Sequence, residues 1–335
     1  IYFFLARGFG LKGLIINGAI FSALTIVANV FWVKRLTAGL KVNPFWFSFS
    51  ELGALVKYSV SIFLARLAGL AQDPINKIIL AAYTSLPFVS FYEVGWRVSS
   101  MVRQLFGIGL IPLLPASSEL QNVNMKQELE RVYLFTSRML YLFAMPFFLV
   151  VIVLAEPLVQ VWLGDGYKLA ARAIQFLLLG NLFSLLVTPQ YIILMGIGKP
   201  HLSTLISGVT SAINLVISIG LGIIIGYYGV LIGISFSLIA TSIWLIFLFC
   251  KVMGFSIVNY WKWLPGKGLA LSLVISVGFR ILIQNVLQPS TIVLVVLTCC
   301  SVLSYSLLGF LLGVFNREDK QIILKLRESL TFVAK

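Results

Sequence analysis

Apolar residues in this chain come in blocks about twenty long, not in the short alternations that mark half-buried strands or amphipathic helices. The blocks lie at 14–33, 58–83, 87–113, 132–155, 172–195, 203–225, 229–250, 268–287 and 290–315. A helix rises 1.5 Å per residue and needs roughly 20 such residues to cross a hydrocarbon core about 30 Å thick. The pattern therefore predicts an all-α, polytopic membrane bundle with nine spans visible. Turn residues punctuate it at Leu86-Pro87, Gly164-Asp165-Gly166, Gly198-Lys199-Pro200, Gly226-Tyr-Tyr-Gly229 and Gln288-Pro289. Asn43-Pro44-Phe45-Trp46-Phe47 reads as an aromatic interfacial segment. The segment 316–335 sets Ile322, Ile323, Leu326 and Leu330 among basic residues, the pattern of a short helix lying on a membrane surface.

Composition supports this reading: 60% of residues are hydrophobic and 11% are Asp, Glu, Lys or Arg, against about 25% charged in soluble domains. The net charge of +14 would suit a nucleic-acid binder, but the basic residues sit in short loops and form no continuous face for phosphates to follow. They set topology instead. Lys34, Arg35 and Lys41 follow the first block, Lys126 and Arg131 the third, Lys199 the fifth, and Lys251, Lys262 and Lys267 the seventh; Arg317, Lys320, Lys325 and Arg327 lie in the tail. The alternate loops 84–87, 226–229 and 288–289 hold no Lys or Arg, so the basic set and the C-terminus are expected in the cytoplasm. Arg7, Lys12, Lys168 and Arg172 depart from the pattern.

Cys250, Cys299 and Cys300 lie in apolar runs and make no disulfide framework, and a single His201 supports no metal site. No cofactor and no catalytic residue is expected. Glu156 and Asp165 could mimic a catalytic carboxylate pair, yet both flank a turn with no His or Lys base beside them. The chain opens inside an apolar run with neither a basic n-region nor a cleavage site, which reads as the tail of a helix.

One internal repeat is visible. Gly10-Leu-Lys-Gly13-Leu-Ile-Ile16 and Gly226-Tyr-Tyr-Gly229-Val-Leu-Ile232 share their glycines and final isoleucine, and Thr25 and Thr241 match at the same offset. Six helices of separation suggest a six-helix unit repeated in one orientation. The implied organisation is 1–36 as the last helix of an N-terminal lobe, 37–57 as a cytoplasmic loop and interfacial segment, and 58–252 as a C-terminal six-helix lobe. Two additional transmembrane helices follow in 253–315, then a cytoplasmic tail in 316–335.

Several motifs, in order and spacing, match one family. They are Leu55-Val-Lys-Tyr58, Asp73-Pro-Ile-Asn-Lys-Ile-Ile-Leu80, Tyr92-Glu93-Val-Gly-Trp-Arg97, Leu114-Pro115, Trp162-Leu-Gly-Asp-Gly166 with Ala170-Ala171, Gly196-Ile-Gly198-Lys199-Pro200, and Asn214-Leu-Val. The sequence resembles the polysaccharide transporters, the flippases of O-antigen and other lipid-linked oligosaccharides, in the multidrug/oligosaccharidyl-lipid/polysaccharide exporter superfamily. The resemblance implies a MATE-like architecture: two six-helix lobes around a central cavity, often with two extra C-terminal helices, here with most of the N-terminal lobe missing. It also implies a non-enzymatic inner-membrane transporter whose partners are a polyprenyl-pyrophosphate-linked glycan, membrane lipid and a glycan polymerase. The alternatives are a multidrug or cation antiporter of the same superfamily, and a membrane polysaccharide polymerase or ligase.

Two blocks carry charge at membrane depth: Arg66, Asp73 and Lys77 in the second, Glu93, Arg97 and Arg103 in the third. Each costs about 2.5–3.5 kcal/mol at a helix centre facing lipid, so protein or water must face most of them. At 100° per residue Ser59, Arg66, Asp73 and Lys77 share one face, and Glu93, Arg97, Ser100 and Gln104 share another. Two readings fit together: the stripes line a wet cavity, and their charges pair to lock the two helices. With a turn at Ser85, Lys77 and Glu93 lie at one depth and Asp73 and Arg97 at a second, so both pairs are expected as salt bridges. Arg66 and Arg103 would then be free cations for a pyrophosphate, Arg66 foremost because it lies on its stripe; Arg97, Asp73, Lys77, Glu93 and Gln104 would line the cavity with them. Asn181, Gln190 and Asn214 are expected to bond between helices. Trp32, Trp46, Trp162 and Trp261 are expected as interfacial anchors, and Pro112 and Pro115 as the end or kink of the third span.

Overall fold

A computed structural model describes residues 10–36, 49–120, 126–285 and 291–314. Ile1, Arg7, Lys41, the segment 43–47 with Trp46, the Gln288-Pro289 loop and the tail 316–335 lie outside the described residues. Among those described there are no strands. Nine long helices occur: α1 (Gly10–Leu36), α2 (Phe49–Tyr83), α3 (Leu86–Gly107), α5 (Lys126–Leu163), α6 (Lys168–Leu186), α8 (Pro200–Ile225), α9 (Tyr227–Met253), α11 (Gly266–Asn285) and α12 (Thr291–Leu311). Three short ones sit between them: α4 (Leu113–Glu119), α7 (Thr188–Gly196) and α10 (Ile257–Trp263). Seven helical segments are long and apolar enough to cross a membrane. α2 is not among them, and α12 contributes a shorter apolar stretch, Val296–Leu311.

The chain divides between Val56 and Lys57 into two units. The first holds α1, an apolar helix closed by Lys34 and Arg35 in its last turn, where cations favour the helix dipole. Arg35 lies 5.9 Å over the ring of Trp32, which fits an interfacial end.

In the second unit the described residues pack as a bundle in which α8 lies along α9, α3 along α6, and α6 against α5 and α9. Without a hydrophobic force between helices in lipid, close backbone approach through small residues drives such packing. A Cβ on Gly95 of α3 would stand 2.5 Å from the Ala173 Cβ of α6, and one on Gly180 of α6 would stand 2.9 Å from the Ser235 Cα of α9. The core between α3, α5 and α6 is built from Tyr141, Phe148, Ile174, Leu178 and their neighbours. α11 and α12 pack on each other and on α5, around Leu142, Ile275, Tyr305 and Val314.

Prolines shape the third span as the sequence predicts. α3 tightens into a 3-10 turn at Ile108–Leu110 and stops before Pro112, which has no N–H for the Ile108 carbonyl. The fifth block, by contrast, is not one helix. α6 ends at Leu186 and α7 restarts at Thr188-Pro189, with the proline in the first turn of the new helix, where its missing N–H costs no intrahelical hydrogen bond. α2 begins at Phe49, earlier than hydropathy suggests, since Glu51 and Lys57 dilute its first turns.

Candidate functional site

Asp73 and Lys77 are one turn apart on α2, and Glu93 and Arg97 one turn apart on α3. The tight turn at Ser85 brings the two pairs side by side. Lys77 Nζ lies 2.7 Å from Asp73 Oδ2 and 2.6 Å from Glu93 Oε2, and Arg97 Nε donates to Glu93 Oε1 at 2.9 Å. The expected Lys77–Glu93 bridge is present. The expected Asp73–Arg97 bridge is not among the ion pairs of the described residues. Each of these two charges finds a partner on its own helix at i,i+4, which is closer than one across the hairpin. The result is one chain of four charges, Asp73–Lys77–Glu93–Arg97, with a net charge of zero.

Behind this chain the helices are joined by neutral hydrogen bonds. Asn214 on α8 donates to Asn76 Oδ1 on α2 at 3.1 Å, and Ser218 donates to Asn214 Oδ1 at 2.8 Å. Gln190 on α7 donates to the Tyr133 hydroxyl on α5 at 3.0 Å. These two contacts cross between helices as expected. Asn181 does not: its amide donates to Leu177 O of its own helix at 2.9 Å.

Arg103 is held away from the four-charge chain. It lies eighteen residues past Ser85, roughly 27 Å along the helix at 1.5 Å per residue. With Gln72 of α2, Ser184 of α6, Thr188 and Tyr191 of α7, and Thr210 of α8, it lines a cavity of about 260 Å³. Thr241 and Ser242 of α9 supply further hydroxyls. No carboxylate among the described residues lies within ion-pair distance of its guanidinium. The hydroxyls are held by their own helices: Thr188 donates to Ser184 O at 3.1 Å and Thr210 to Ile206 O at 2.7 Å, with Thr241 Oγ1 of α9 3.0 Å from the Thr210 hydroxyl. A hydroxyl that donates backward along its helix still presents lone pairs to the cavity, so water, other donors and an anion on Arg103 can all be accommodated there.

The remaining predicted site residues fall elsewhere. Arg66 lies within α2, but its side chain is outside the described residues. Arg97 ends the charge chain and is largely exposed, and Gln104 is exposed rather than among the cavity's lining. Asp73, Lys77 and Glu93 are used in pairing. Sequence reasoning missed the hydroxyl wall, although Ser207, Thr210, Asn214 and Ser218 recur at helical spacing along α8 and were a legible signal. It also missed two arginines at depth. Arg138 of α5 is buried and donates to Trp263 O at 2.6 Å and Val314 O at 3.0 Å. Arg280 of α11 pairs with Glu156 Oε2 of α5 at 2.9 Å. Among the described residues four helices, not two, therefore carry charge at depth. Glu156 is paired with Arg280, and Asp165 accepts from Gln160 Nε2 at 2.7 Å.

The profile of the polysaccharide biosynthesis protein family matches residues 6–172. The uncharacterized membrane protein MJ1068 of Methanocaldococcus jannaschii is 26% identical over 317 residues, 90% of this chain and 59% of that protein. The solved structure of the lipid II flippase MurJ in an inward closed conformation superposes with a TM-score of 0.58 at 16% identity, over 93% of this chain and 65% of that one. The chain thus spans about three fifths of the length of the proteins it matches. At that identity the likeness to the solved structure speaks to fold, and the fold is the flippase-like all-helical bundle. The profile match speaks to family: residues 6–172 of this polytopic membrane protein are similar to the polysaccharide biosynthesis protein family.

Proposed function

We propose that the protein carries a polyprenyl-pyrophosphate-linked oligosaccharide from the inner to the outer leaflet of the cell's inner membrane, by alternating access and without chemical change to the cargo. A head group with two phosphates and several sugars cannot cross hydrocarbon unaided, because its polar groups would go unsatisfied. The observation that carries the reading is Arg103, a cation at membrane depth with no carboxylate among the described residues beside it, facing a hydroxyl-lined cavity. An arginine fork matches phosphate oxygens bidentately, and the hydroxyls suit sugar or phosphate oxygens. The flippase-like fold supports the same reading, with rocking of two lobes as the motion. A glycan polymerase on the far side is the partner that would consume the product. The cation-antiporter reading is disfavoured by Arg103 itself, which would repel a cationic cargo.

The test is complementation of a deletion strain by full-length variants, reading surface glycan at matched protein level. A hydrogen bond to a charged group contributes about 1.5–3 kcal/mol, so Arg103→Ala should lower export by about 10- to 150-fold. Arg103→Lys should recover only part, because the charge remains but the fork is lost. Wild-type export by Arg103→Ala would remove the proposed pyrophosphate site.

A further inference from the structure

A second cavity, about 340 Å³, lies on the other side of the wall formed by α6 and α9. Neighbouring positions on one helix face the two spaces: Ser184 lines the polar one, while Phe183 and Leu186 line the second. Its remaining wall comes from α5, α10 and α11, and no charged side chain lines it. Ile243 of α9 and Trp261 of α10 are exposed at its edge, so the space opens to the bilayer rather than closing as a core void. α10 is fixed over it. Arg138 holds the Trp263 carbonyl at 2.6 Å, the Trp263 ring lies 5.9 Å from that guanidinium, and Tyr260 is buried against Tyr133 with near-parallel rings 5.7 Å apart.

The mouth is basic. Lys262 directly follows Trp261, and Lys267 directly follows Gly266, another lining residue; both lysines are exposed. Neither has an ion pair among the described residues. An apolar slot, an interfacial tryptophan and two lysines in sequence with its rim match one amphiphile in each part: a hydrocarbon chain inside, the ring at the ester level, and a phosphate outside. We propose that this crevice is a binding site for one anionic phospholipid of the bilayer, with an acyl chain between α6, α9 and α10 and its phosphate at Lys262 and Lys267. It is a different space from the Arg103 cavity, although Ser242 of α9 lines both, and its occupant is resident lipid rather than cargo.

Native mass spectrometry of the full-length protein tests this. The protein is purified into detergent and exposed to mixed micelles of equal phosphatidylglycerol and phosphatidylcholine. One phosphatidylglycerol adduct should survive delipidation, favoured about tenfold over phosphatidylcholine. Ile243→Trp, which fills the slot, should remove the adduct. Lys262→Glu with Lys267→Glu, both at exposed positions that leave the fold intact, should remove the preference for the anionic lipid. An adduct-free wild-type protein, an adduct indifferent to Ile243→Trp, or a preference that survives the double lysine change would each overturn the proposal. So would an adduct that forms only when residues 316–335 are deleted, since the tail rather than a lipid would then fill the crevice. Export by Arg103 variants is read in a separate assay, so the two proposals fail independently.

Discussion

Neutralising Lys77 or Glu93 breaks two ion pairs, whereas neutralising Asp73 or Arg97 breaks one. Lys77 bridges two carboxylates at 2.7 and 2.6 Å, and Glu93 bridges two cations at 2.6 and 2.9 Å. Unit charges 4 Å apart attract by about 4 kcal/mol at an effective dielectric of 20 and by about 1 kcal/mol in water. The two side chains are 30% and 33% exposed, so the coupling belongs near the lower end, about 1–2 kcal/mol after solvent screening. A double-mutant cycle of Lys77→Met and Glu93→Gln isolates it. The assay is thermal unfolding of the purified full-length protein in one fixed detergent, followed by tryptophan fluorescence. At about 2–4 °C per kcal/mol for a domain of this size, the double variant should melt roughly 2–8 °C above the value its two single changes would sum to. The parallel cycle of Asp73→Asn with Arg97→Gln should show a coupling below about 0.5 kcal/mol, because those two charges do not touch. A Lys77–Glu93 coupling indistinguishable from zero, or one smaller than that of Asp73 with Arg97, would refute the chain of pairs.

Topology is open to labelling on a background lacking Cys250, Cys299 and Cys300: a cysteine at Ser85 should react in intact cells, and one at Lys199 only after permeabilisation. The reverse pattern would invert the orientation. Gly95→Ala should destabilise by about 1–3 kcal/mol through overpacking against Ala173, while Gly220→Ala, with open space around it, should not; equal melting points for the two variants would contradict close α3–α6 packing. Arg138→Met leaves the Trp263 and Val314 carbonyls without their donor and should cost at least about 1–3 kcal/mol. Faster proteolysis between α9 and α11 should accompany it, and unchanged cleavage there would mean that Arg138 does not fix α10.

The long helices were legible because a span is declared by composition alone: twenty apolar residues leave few other structures. Breaks within spans were harder to see. Thr188-Pro189 carries the signal for the α6–α7 interruption, but its apolar neighbours hide it from a hydropathy window. The Lys77–Glu93 pair could be read because a tight turn fixes depth on both sides of Ser85, a local constraint. Arg138 and Arg280 could not be placed that way. Their partners lie 125, 176 and 124 residues away, and two of the three contacts are backbone carbonyls, which every residue offers and no sequence pattern marks. The preference for Arg66 over Arg103 rested on a shared stripe along one helix. The cavity that Arg103 lines is assembled from α2, α3 and α6 to α9 together, so a position off its own helix's stripe can also face it.

Lipid-linked glycan in a strain lacking the gene for this protein, measured leaflet by leaflet, bears most directly on the proposed transport. Surface polysaccharide should disappear while polyprenyl-pyrophosphate-linked repeat units accumulate on the cytoplasmic face, and the full-length gene should restore both. Normal surface glycan in a strain with no second exporter would contradict the account. Loss of the glycan with no lipid-linked intermediate would contradict it as well, and would point to an enzyme acting earlier.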